Sequence, residues 1–593
     1  MCGIFGYVGD RTDAPKIVFE GLKKLEYRGY DSWGIATLNQ KLNIKDKRLI
    51  VEKHVGKLPP TLNSQLSTLN SNTALGHTRW ATHGGATEAN AHPHTDCSGK
   101  ISAVHNGIVE NWEEIKKSLS KNHHFKSQTD TEVVVHMVEE LNQKLPFEEA
   151  VRRAFLRLKG LNAFIFLKHD GEIVAVKSGS PMVVGLGKNE VLIASDSAGL
   201  LPFTDRAVFI KDGEMAVISK KNVRIINAQD GKNQKVQISQ LSPQKDTSSK
   251  DDKFPHIMLS EIYDQPNVLR SLAEGNQAAK LANLVNKAFG IFFVACGSAS
   301  YAALSGTYLF SRIAKKHVNF SIGSEFKYQE DYIHKGTLVV PVSQSGESVD
   351  VIEPVLKAKK KGAKIAALVN VEGSTLFRIA DFNFLLGAWP ERAVVATKSL
   401  TAMVAALIMT AYSLAGKGEE SKKLINAAAL DIERFLANSQ IGKIKRLAKR
   451  LSRANGVYII GRGLSYAAAL EGALKLKEAC YLHAEGFAGG ELKHGVIALI
   501  EKGTPCIVIA PNDETYDEII SNAQEVKARG AYIIGIGPRN NQVFDDFVKT
   551  GDLAEATMIS QIVVLQLLAY FIAVEKGIDP DKPRNLAKSV TVK

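Results

Sequence analysis

Apolar and polar positions follow two different patterns along the chain. In residues 1 to about 218, short segments such as 101–104 and 173–176 alternate between apolar and polar side chains. Such alternation is typical of strands with one buried face. Residues 14–25 and 131–144 show helical periodicity instead. This part of the chain is therefore predicted to be an α+β domain built in layers.

Beyond residue 218 the pattern changes twice. Residues 219–255 are predicted to form a linker, because their later part is polar and almost free of aromatic side chains. After about residue 280, apolar strands alternate with helices, which indicates α/β domains with parallel sheets. The apolar runs 401–416 and 558–574 are predicted to be buried core helices, since the first is short for a bilayer and the second carries polar side chains.

The second half contains an internal repeat. A Ser-Tyr-Ala-Ala segment follows one strand at Ser300 and another at Ser465, and Glu347 and Glu514 follow later strands at nearly the same spacing. Repeated spacing of this kind predicts two copies of one α/β domain. The predicted segments are the first domain at 2–218, the linker at 219–255, the two repeat domains at 280–424 and 446–583, and a C-terminal tail at 584–593.

Composition excludes several classes of protein. The 593 residues are 45% hydrophobic and 23% charged, which is ordinary for globular proteins. The net charge of +13 is spread along the chain, and the densest basic run, 357–364, has no interleaved aromatics, so no nucleic-acid partner is expected. Five cysteines without a C-x-x-C pair argue against a disulfide framework and a thiolate zinc site. With no signal peptide, a cytoplasmic protein without a membrane partner is expected.

The first candidate for chemistry is Cys2. Once Met1 is removed, the α-amino group of Cys2 has a pKa of about 8 and can accept the thiol proton, directly or through a water. Gly3 beside it permits a close approach of the backbone. Cys2 is therefore predicted to be a nucleophile that needs no histidine partner.

Further fragments in the first domain suit one substrate. Arg79, beside Trp80, can bind a carboxylate with two hydrogen bonds. Asn106 offers an amide donor and Gly107 a backbone N–H, which are the parts of an oxyanion hole. Asp130 can face a substrate ammonium group. Each fragment alone is a weak signal, but together and in this order they are highly specific.

These fragments resemble the type 2, N-terminal-nucleophile glutamine amidotransferases. The resemblance implies a four-layer αββα fold. It implies the following roles: Cys2 as nucleophile, Asn106 and Gly107 for the oxyanion, Arg79, Thr82, His83 and Asp130 for glutamine, and Trp80 as the gate of an ammonia channel. A histidine metal site was the alternative, because His77, His83, His92, His94 and His105 are crowded. It is disfavoured because no carboxylates accompany them at ligand spacing, and no metal is expected.

A serine-rich turn marks the first repeat domain. Ser343, Gln344, Ser345 and Ser348 lie between a strand and a helix, where hydroxyls and backbone N–H groups form an anion site. Capping of the helix is the alternative explanation. The second copy has Ala-Pro-Asn-Asp-Glu-Thr at 510–515, and this difference favours one phosphate site, in the first copy alone.

The second repeat domain carries acid–base residues. Glu471, Lys475 and Glu478 lie on one face of a predicted helix, either as a surface ion-pair ladder or as reactive groups. Aldose–ketose chemistry uses a carboxylate to move a proton, a histidine to open the sugar ring and a lysine to form an imine. His494 and the tail residue Lys588 complete such a set.

Over its length the chain resembles the family of isomerizing glutamine–fructose-6-phosphate aminotransferases, whose second half consists of two sugar-isomerase (SIS) domains. The resemblance implies glutamine and fructose 6-phosphate as substrates, no cofactor, and a homodimer. It implies the following roles: Ser298, Ser343, Gln344, Ser345 and Ser348 for sugar-phosphate binding, Glu478 with Lys475 for the C1–C2 proton, His494 of the neighbouring subunit for ring opening, and Lys588 for the imine. The chain departs from the family pattern at Ser298-Ala299, Val395-Ala396 and Trp33.

Two rival functions remain from the sequence. A related amidotransferase could deliver ammonia to a different sugar phosphate. A regulator could bind the sugar phosphate without turnover, although the presence of Cys2, Glu478, His494 and Lys588 argues against it.

Overall fold

The computed structural model describes residues 2–38, 48–81, 83–220, 222–241, 253–388 and 390–590. The chain divides into two compact units. The first comprises Met1–Lys245 with Ser589–Lys593, and the second comprises Asp246–Lys588.

Within its described residues, the first unit contains two antiparallel sheets and four α-helices. Its strands are β1 (Gly3–Gly9), β2 (Ser32–Leu38), β3 (Leu49–Val55), β4 (Thr73–Arg79), β5 (His94–Thr95), β6 (Ile101–Gly107), β7 (Asn162–Lys168), β8 (Ile173–Ser178), β9 (Val183–Leu186), β10 (Glu190–Ala194), β11 (Arg206–Phe209), β12 (Glu214–Ser219), β13 (Asn222–Asn227), β14 (Asn233–Gln234) and β15 (Ser239–Gln240). Its helices are α1 (Ala14–Leu25), α2 (Trp112–Ser118), α3 (Asp130–Asn142) and α4 (Phe147–Leu156).

The two sheets lie face to face between helical layers. One sheet has the order β15-β11-β9-β10-β1-β4-β2-β3, and the other has β14-β13-β12-β8-β7-β6-β5. On β1, Ile4 and Val8 enter the core between the sheets, whereas Phe5 and Tyr7 pack against α1. Helices α3 and α4 cover the outer face of the second sheet. The predicted α+β layers are confirmed, because the period-2 alternation supplies each sheet with two buried faces.

The predicted start of the linker at residue 219 is wrong. Residues 222–227 form β13, which pairs with β12 as a hairpin and buries Ile225 and Ile226. The polar side chains of this segment lie on the exposed positions of a strand that is covered on its outer side by the two-residue strand β14 alone, so its composition resembled that of a linker. Residues 242–252, in the later part of the predicted linker, lie outside the described residues.

The second unit contains two parallel sheets. Its strands are β16 (Gly290–Ala295), β17 (Asn319–Ile322), β18 (Thr337–Ser343), β19 (Lys364–Val369), β20 (Phe382–Leu385), β21 (Val457–Gly461), β22 (Ala484–Ala488), β23 (Pro505–Ile509), β24 (Tyr532–Gly537) and β25 (Asp546–Lys549). Its helices are α5 (Ile257–Glu274), α6 (Gln277–Lys287), α7 (Ser298–Ala314), α8 (Gly323–Phe326), α9 (Val349–Lys360), α10 (Thr375–Ile379), α11 (Lys398–Leu414), α12 (Gly418–Leu436), α13 (Gln440–Leu451), α14 (Leu464–Cys480), α15 (Tyr516–Lys527) and α16 (Thr557–Glu575).

The two parallel sheets have equivalent strand orders. They are β17-β16-β18-β19-β20 and β22-β21-β23-β24-β25, so each first strand is flanked by the second and the third. The internal repeat predicted from the spacing of matched residues is thus present in the fold. Residues 280, 424 and 446, predicted as domain boundaries, fall inside α6, α12 and α13. These helices continue because their apolar faces pack in the same core as the sheets, which a pattern of strands alone does not reveal.

The two apolar runs are helices α11 and α16. Helix α16 lies within the 22-residue segment Ala554–Glu575, which is long and apolar enough to cross a membrane by length and composition. However, 89% of its most apolar window is buried inside the unit. The prediction of core helices agrees with this burial.

Candidate active sites

Cys2 lies directly before β1, next to the end of β4. The backbone N–H of Trp80 donates to the Cys2 sulfur at 3.2 Å, and the thiol lies 3.6 Å from the Trp80 carbonyl oxygen. Gly3 pairs with Thr78 across the two strands, so the sheet register fixes this contact. An N–H group directed at the sulfur stabilises a thiolate.

Asn106 lies at the end of β6, where it faces Cys2. Its Nδ2 donates to the Cys2 carbonyl oxygen at 2.9 Å. Its Oδ1 lies 3.2 Å from Nε2 of His77, which must donate because an amide oxygen only accepts. His77 therefore fixes the orientation of the amide, with the donor side toward Cys2.

Gly107 ends β6 with a backbone that favours glycine. Its φ is +143°, and a Cβ there would lie 2.2 Å from the Leu161 carbonyl oxygen. A side chain at this position would push the strand end away from Cys2. The structure thus brings Asn106 next to Cys2, and Gly107 follows Asn106 at the end of β6.

Arg79 is buried at the end of β4, with only 3% of its surface exposed. Its guanidinium donates to the carbonyl oxygens of His83, Gly84 and Gly85, at 3.2 Å for Gly84 and 3.1 Å for Gly85. Burial lowers the pKa of Arg79, while Cys2 and Asp130 act in the opposite direction through their charge. Arg79 therefore lies within electrostatic reach of Cys2 and Asp130.

Asp130 is the first residue of α3. Its Oδ2 accepts the Val109 backbone N–H at 2.7 Å, which ties the helix start to the segment after β6. An acidic side chain at this position also favours the helix dipole. His83 is partly buried, whereas Thr82, also predicted to bind glutamine, lies outside the described residues.

The histidines around this site form a buried cluster. The rings of His77 and His92 lie 4.3 Å apart, and those of His92 and His94 lie 4.7 Å apart. Burial lowers the pKa of His77 to about 3 and holds the pKa of His92, His94 and His105 below the ordinary value. Neutral imidazoles here serve as hydrogen-bonding groups. Among the described residues, the hydrogen bonds to the Cys2 sulfur come from Trp80 and not from a histidine.

The serine-rich turn joins β18 to α9. Ser343 Oγ accepts the Gly346 N–H at 3.0 Å, and Ser345 Oγ accepts the Glu347 N–H at 3.1 Å. Gly346 has a φ of +65°, and a Cβ there would lie 2.1 Å from Ser374 Oγ. The close turn places these hydroxyls at one helix N-terminus.

Ser348 and Gln344 complete this turn. Ser348 occupies the N-cap position of α9, but its side chain makes no capping hydrogen bond. Capping therefore does not account for this hydroxyl, which weakens the alternative explanation. Gln344 is anchored through its backbone carbonyl, which accepts the Asn370 N–H at 3.2 Å.

The corresponding turn of the second copy is filled with carboxylates. Thr515 donates to Asp513 Oδ1 at 2.6 Å, within the turn between β23 and α15. Arg312 of the first copy lies 3.5 Å from Asp513 and 2.8 Å from Glu514. Negative side chains in this turn disfavour an anion, so the two copies differ as the sequence predicts.

Lys475 lies at the junction of the two copies. Its side chain is fully buried on α14, and its Nζ contacts Glu478 at 2.6 Å, Ser298 Oγ at 3.0 Å and Glu471 at 3.3 Å. Although burial lowers the pKa of Lys475, the two carboxylates outweigh it and raise the pKa. Lys475 is therefore a fixed cation.

The two carboxylates beside Lys475 have different surroundings. Glu471 is fully buried, and burial raises its pKa to about 7 despite Lys475. Glu478 keeps 23% of its side chain exposed. The helix face is therefore a buried cluster with one accessible carboxylate, and the surface-ladder interpretation is wrong.

Lys588 is held by a carboxylate that the sequence did not single out. Its Nζ lies 2.6 Å from Glu391 Oε2, and both side chains are buried. Glu391 also accepts the N–H groups of Thr397 and Ser399, both at 3.0 Å. Burial alone would raise the pKa of Glu391, but Lys588 and Ser399 outweigh it and keep the pKa low. The sequence feature that could have identified Glu391 is its position as a lone carboxylate in the apolar segment before α11.

One short segment connects the two lysines. Lys475 Nζ donates to the Ala396 carbonyl oxygen at 3.4 Å, and the next residue, Thr397, donates its N–H to Glu391. Lys588 and Lys475 thus lie on either side of this segment. The structure brings together Ser298, Lys475, Glu478 and Lys588 around it.

His494 lies apart from these groups within the chain. It ends the 3₁₀ helix Gly489–His494 and is exposed. None of the hydrogen bonds and ion pairs found among the described residues joins it to Lys475 or Glu478. Its predicted origin from a second subunit is therefore not tested by a single chain.

Comparison with known proteins gives matches to both halves. A glutamine amidotransferase domain matches residues 63–253, and a SIS domain matches residues 284–413 and 450–551. The glutamine–fructose-6-phosphate aminotransferase [isomerizing] of Thermococcus kodakarensis is 42% identical over 100% of both chains. The protein of the same name from Pyrococcus horikoshii is 41% identical, again over 100% of both chains.

A solved structure resembles the second half. It is the C-terminal domain of glucosamine-fructose-6-phosphate aminotransferase from Francisella tularensis, which is 31% identical and aligns with a TM-score of 0.53. The alignment covers 56% of this chain and 99% of that chain.

Proposed function

The chain belongs to the family of isomerizing glutamine–fructose-6-phosphate aminotransferases, and we propose that it makes glucosamine 6-phosphate and glutamate from fructose 6-phosphate and glutamine. It is an aminotransferase with a glutamine amidotransferase domain and SIS domains. The observation that carries the proposal is the pairing of Lys475 with Glu478 and of Lys588 with Glu391 on either side of Ala396-Thr397. This arrangement supplies an imine-forming amine and a proton-transfer carboxylate in one place.

Glutamine hydrolysis takes place at Cys2. The free α-amino group of the mature chain takes the thiol proton, and the sulfur attacks the side-chain carbonyl carbon of glutamine. Asn106 Nδ2 and the Gly107 N–H stabilise the negative oxygen that develops. Ammonia leaves, and water then cleaves the thioester to release glutamate.

The substrate is held by its charged ends. Arg79 binds the α-carboxylate and Asp130 the α-ammonium group, with Thr82 and His83 completing the glutamine site. Burial of Arg79 supports this assignment, because a buried guanidinium binds a carboxylate more strongly than an exposed one. Trp80 beside Cys2 gates the release of ammonia.

The sugar phosphate is bound by the turn after β18. The hydroxyls of Ser343, Ser345 and Ser348, with Gln344 and the first N–H groups of α9, donate hydrogen bonds to the phosphate oxygens. Ser298 holds the sugar next to Lys475. The carboxylates of the second copy support a single phosphate site.

Lys588 activates the ketone of open-chain fructose 6-phosphate. The lysine must first lose a proton, and Glu391, at 2.6 Å, is in place to accept it. The neutral amine attacks C2, water leaves, and an imine forms. Ammonia then attacks C2 and displaces the lysine. The substrate is left as a free C2 imine, and the proton returns to the ion pair of Lys588 and Glu391.

Isomerisation completes the reaction. Glu478 removes a proton from C1 and delivers one to C2, which converts the C2 imine into an amine and the C1 alcohol into an aldehyde. Lys475 remains charged and stabilises the negative charge that develops in this step. His494, contributed by the second subunit of a homodimer, opens the sugar ring. The enzyme works in the cytoplasm with two small-molecule substrates.

A coupled assay tests the proposal. Purified protein is given glutamine and fructose 6-phosphate, and glucosamine 6-phosphate and glutamate are quantified by mass spectrometry. Equal amounts of both products are expected. A Cys2→Ala variant is expected to make the amino sugar from ammonia but not from glutamine. Absence of glucosamine 6-phosphate with both nitrogen sources would overturn the assignment, and other ketose phosphates then identify the true acceptor.

A further inference from the structure

Four potential metal ligands from three segments converge in the first unit, away from Cys2. They are Cys97 in the turn between β5 and β6, His123 in the segment between α2 and α3, and His136 and Glu139 on α3. One ligand atom from each residue lies within 4.8 Å of every other. Among the described residues, these four side chains form the group of His, Cys, Asp and Glu that could hold a metal ion.

The distances fit a tetrahedral ion. Cys97 Sγ lies 3.6 Å from His123 Nδ1 and 3.7 Å from His136 Nδ1. Glu139 Oε2 lies 3.2 Å from His123 Nδ1 and 3.0 Å from His136 Nδ1. A zinc ion with bonds of about 2.0–2.3 Å to N, O and S places its ligand atoms about 3.3–3.7 Å apart. Small movements of the side chains therefore suffice to coordinate one ion.

The outer nitrogens of both histidines face carboxylates. His123 Nε2 lies 3.0 Å from Glu140 Oε1, and His136 Nε2 lies 3.8 Å from Glu132 Oε1. Glu132 is itself fixed by the backbone N–H groups of Lys126 and Ser127, at 2.8 and 2.7 Å. A carboxylate behind each ligating imidazole is the usual arrangement of zinc sites. The Nδ1 atoms of both rings lie on the side of the sulfur, at 3.6 and 3.7 Å from it.

Ion pairing alone does not account for the sulfur. Glu139 pairs with both imidazoles, and it also accepts the Cys97 backbone N–H at 3.3 Å. The Cys97 sulfur also lies within hydrogen-bonding distance of both ring nitrogens, at 3.6 and 3.7 Å, which are separations expected between two ligands of one ion. The turn that carries it is held by Asp96, whose Oδ1 accepts the N–H groups of Lys100 and Ile101 at 2.7 and 2.8 Å.

We propose that Cys97, His123, His136 and Glu139 form a structural Zn²⁺ site. Soft sulfur with imidazole and carboxylate in tetrahedral geometry favours zinc over magnesium or calcium. Four protein ligands leave no open position, so the ion holds segments together and does not take part in the reaction. This goes beyond the proposed function and departs from the expectation of no metal. The sequence did not reveal it because the four ligands lie far apart and lack a C-x-x-C motif.

The site would hold α3 in place. The ion links α3 to the turn before β6 and to the segment before α3, and Asp130 is the first residue of that helix. Zinc would therefore stabilise the glutamine-hydrolysing unit and leave the sugar unit unaffected. Its loss is expected to lower glutaminase activity by destabilising the fold.

Metal analysis of the full-length protein tests the site. The wild type and the variants Cys97→Ser, His123→Ala and His124→Ala are stripped with chelator, loaded with Zn²⁺ and freed of excess metal by gel filtration. His124→Ala is the matched control, because His124 is an exposed neighbour of His123 and is not one of the four ligands. Wild type and His124→Ala are expected to hold about one zinc per chain, and the other two at least about tenfold less.

Cobalt substitution gives a second readout. Co²⁺ in the wild type is expected to show the intense visible bands of a tetrahedral ion and a sulfur-to-cobalt charge-transfer band, which Cys97→Ser abolishes. Ammonia-dependent synthesis checks that each variant remains folded in the sugar unit. Wild type without stoichiometric zinc, or without tetrahedral cobalt bands, would overturn the proposal. Equal zinc in wild type and both ligand variants would overturn it as well.

Discussion

Lys588 and Glu391 form a buried ion pair in which Nζ lies 2.6 Å from Oε2, with 3% and 0% of the two side chains exposed. The pair joins the C-terminal segment to the residues before α11. A buried lysine that is paired with a carboxylate can pass its proton to that carboxylate and become a nucleophile. The first prediction concerns this lysine.

Replacement of the lysine should abolish imine formation. Lys588→Ala is expected to reduce amino-sugar synthesis at least about 10³-fold, because the C2 carbonyl then lacks its nucleophile. Borohydride reduction in the presence of fructose 6-phosphate should attach the sugar covalently to wild-type protein, as seen by mass spectrometry of peptides. Lys477→Ala, an exposed lysine on α14, serves as the control and should label normally. Equal labelling of Lys588→Ala would refute the assignment.

The phosphate turn allows a matched comparison between the two copies. Ser348→Ala should raise the KM for fructose 6-phosphate about tenfold, since a lost hydrogen bond to a charged group costs about 1.5 kcal/mol. Thr515→Ala alters the corresponding position of the second copy and should leave that KM unchanged. Steady-state kinetics with ammonia as nitrogen source measure both. A similar rise in KM for both variants would contradict a single phosphate site.

Asn106 should matter for glutamine hydrolysis alone. Removal of one oxyanion donor is expected to lower the kcat of the glutaminase reaction about 10²–10³-fold. The KM for glutamine should change little, because the donor acts on the charge that develops during the reaction. Asn106→Ala is compared with Asn122→Ala, an exposed asparagine in the same unit. Undiminished kcat in Asn106→Ala would remove it from the oxyanion hole.

Glu471 should make stability depend on pH. Burial raises its pKa to about 7 from an ordinary value of 4.5, so the folded chain binds a proton that the unfolded chain releases. The contribution is fully present below pH 4.5 and is lost as the pH rises toward 7. Its size is about 3 kcal/mol, at 1.36 kcal/mol per pKa unit.

A Glu471→Gln variant isolates this effect. The difference in unfolding free energy between wild type and variant should change between pH 4.5 and 7, because only the wild type ionises there. Glu419→Gln, whose side chain is 81% exposed, provides the control and should show no such change. Urea unfolding of the sugar unit at several pH values measures it. If the difference in unfolding free energy stays constant between pH 4.5 and 7, the folded chain does not hold Glu471 in its protonated form.

Local patterns in the sequence predicted much of the fold. Alternation over β6, β7 and β8 identified strands, and helical spacing identified α1, because each pattern reports burial of one face. The repeat was visible because both copies retain a Ser-Tyr-Ala-Ala segment after one strand and a glutamate after a later strand, at nearly the same spacing. The polar strand β13 was missed, because its exposed polar positions conceal a hairpin whose stability comes from pairing with β12.

The candidate sites were predictable only in part. Cys2, Asn106 and Gly107 were found because each residue type has a defined chemical use at its position. Glu391 was not, because its importance depends on Lys588, which lies far along the chain and meets it only after folding. The ligands around Cys97 were missed for the same reason, since their spacing has no short motif.

The ion pairs of Arg312 with Asp513 and Glu514 have a practical consequence for inhibitor studies. Carboxylates already occupy the second turn, so under the proposed function a compound that mimics the sugar phosphate is expected to bind at one site in each polypeptide. If such a compound dissociates slowly, it can be titrated against the enzyme to measure how many molecules in a preparation are able to bind the sugar phosphate. Turnover numbers could then be normalised to the functional fraction instead of to total protein.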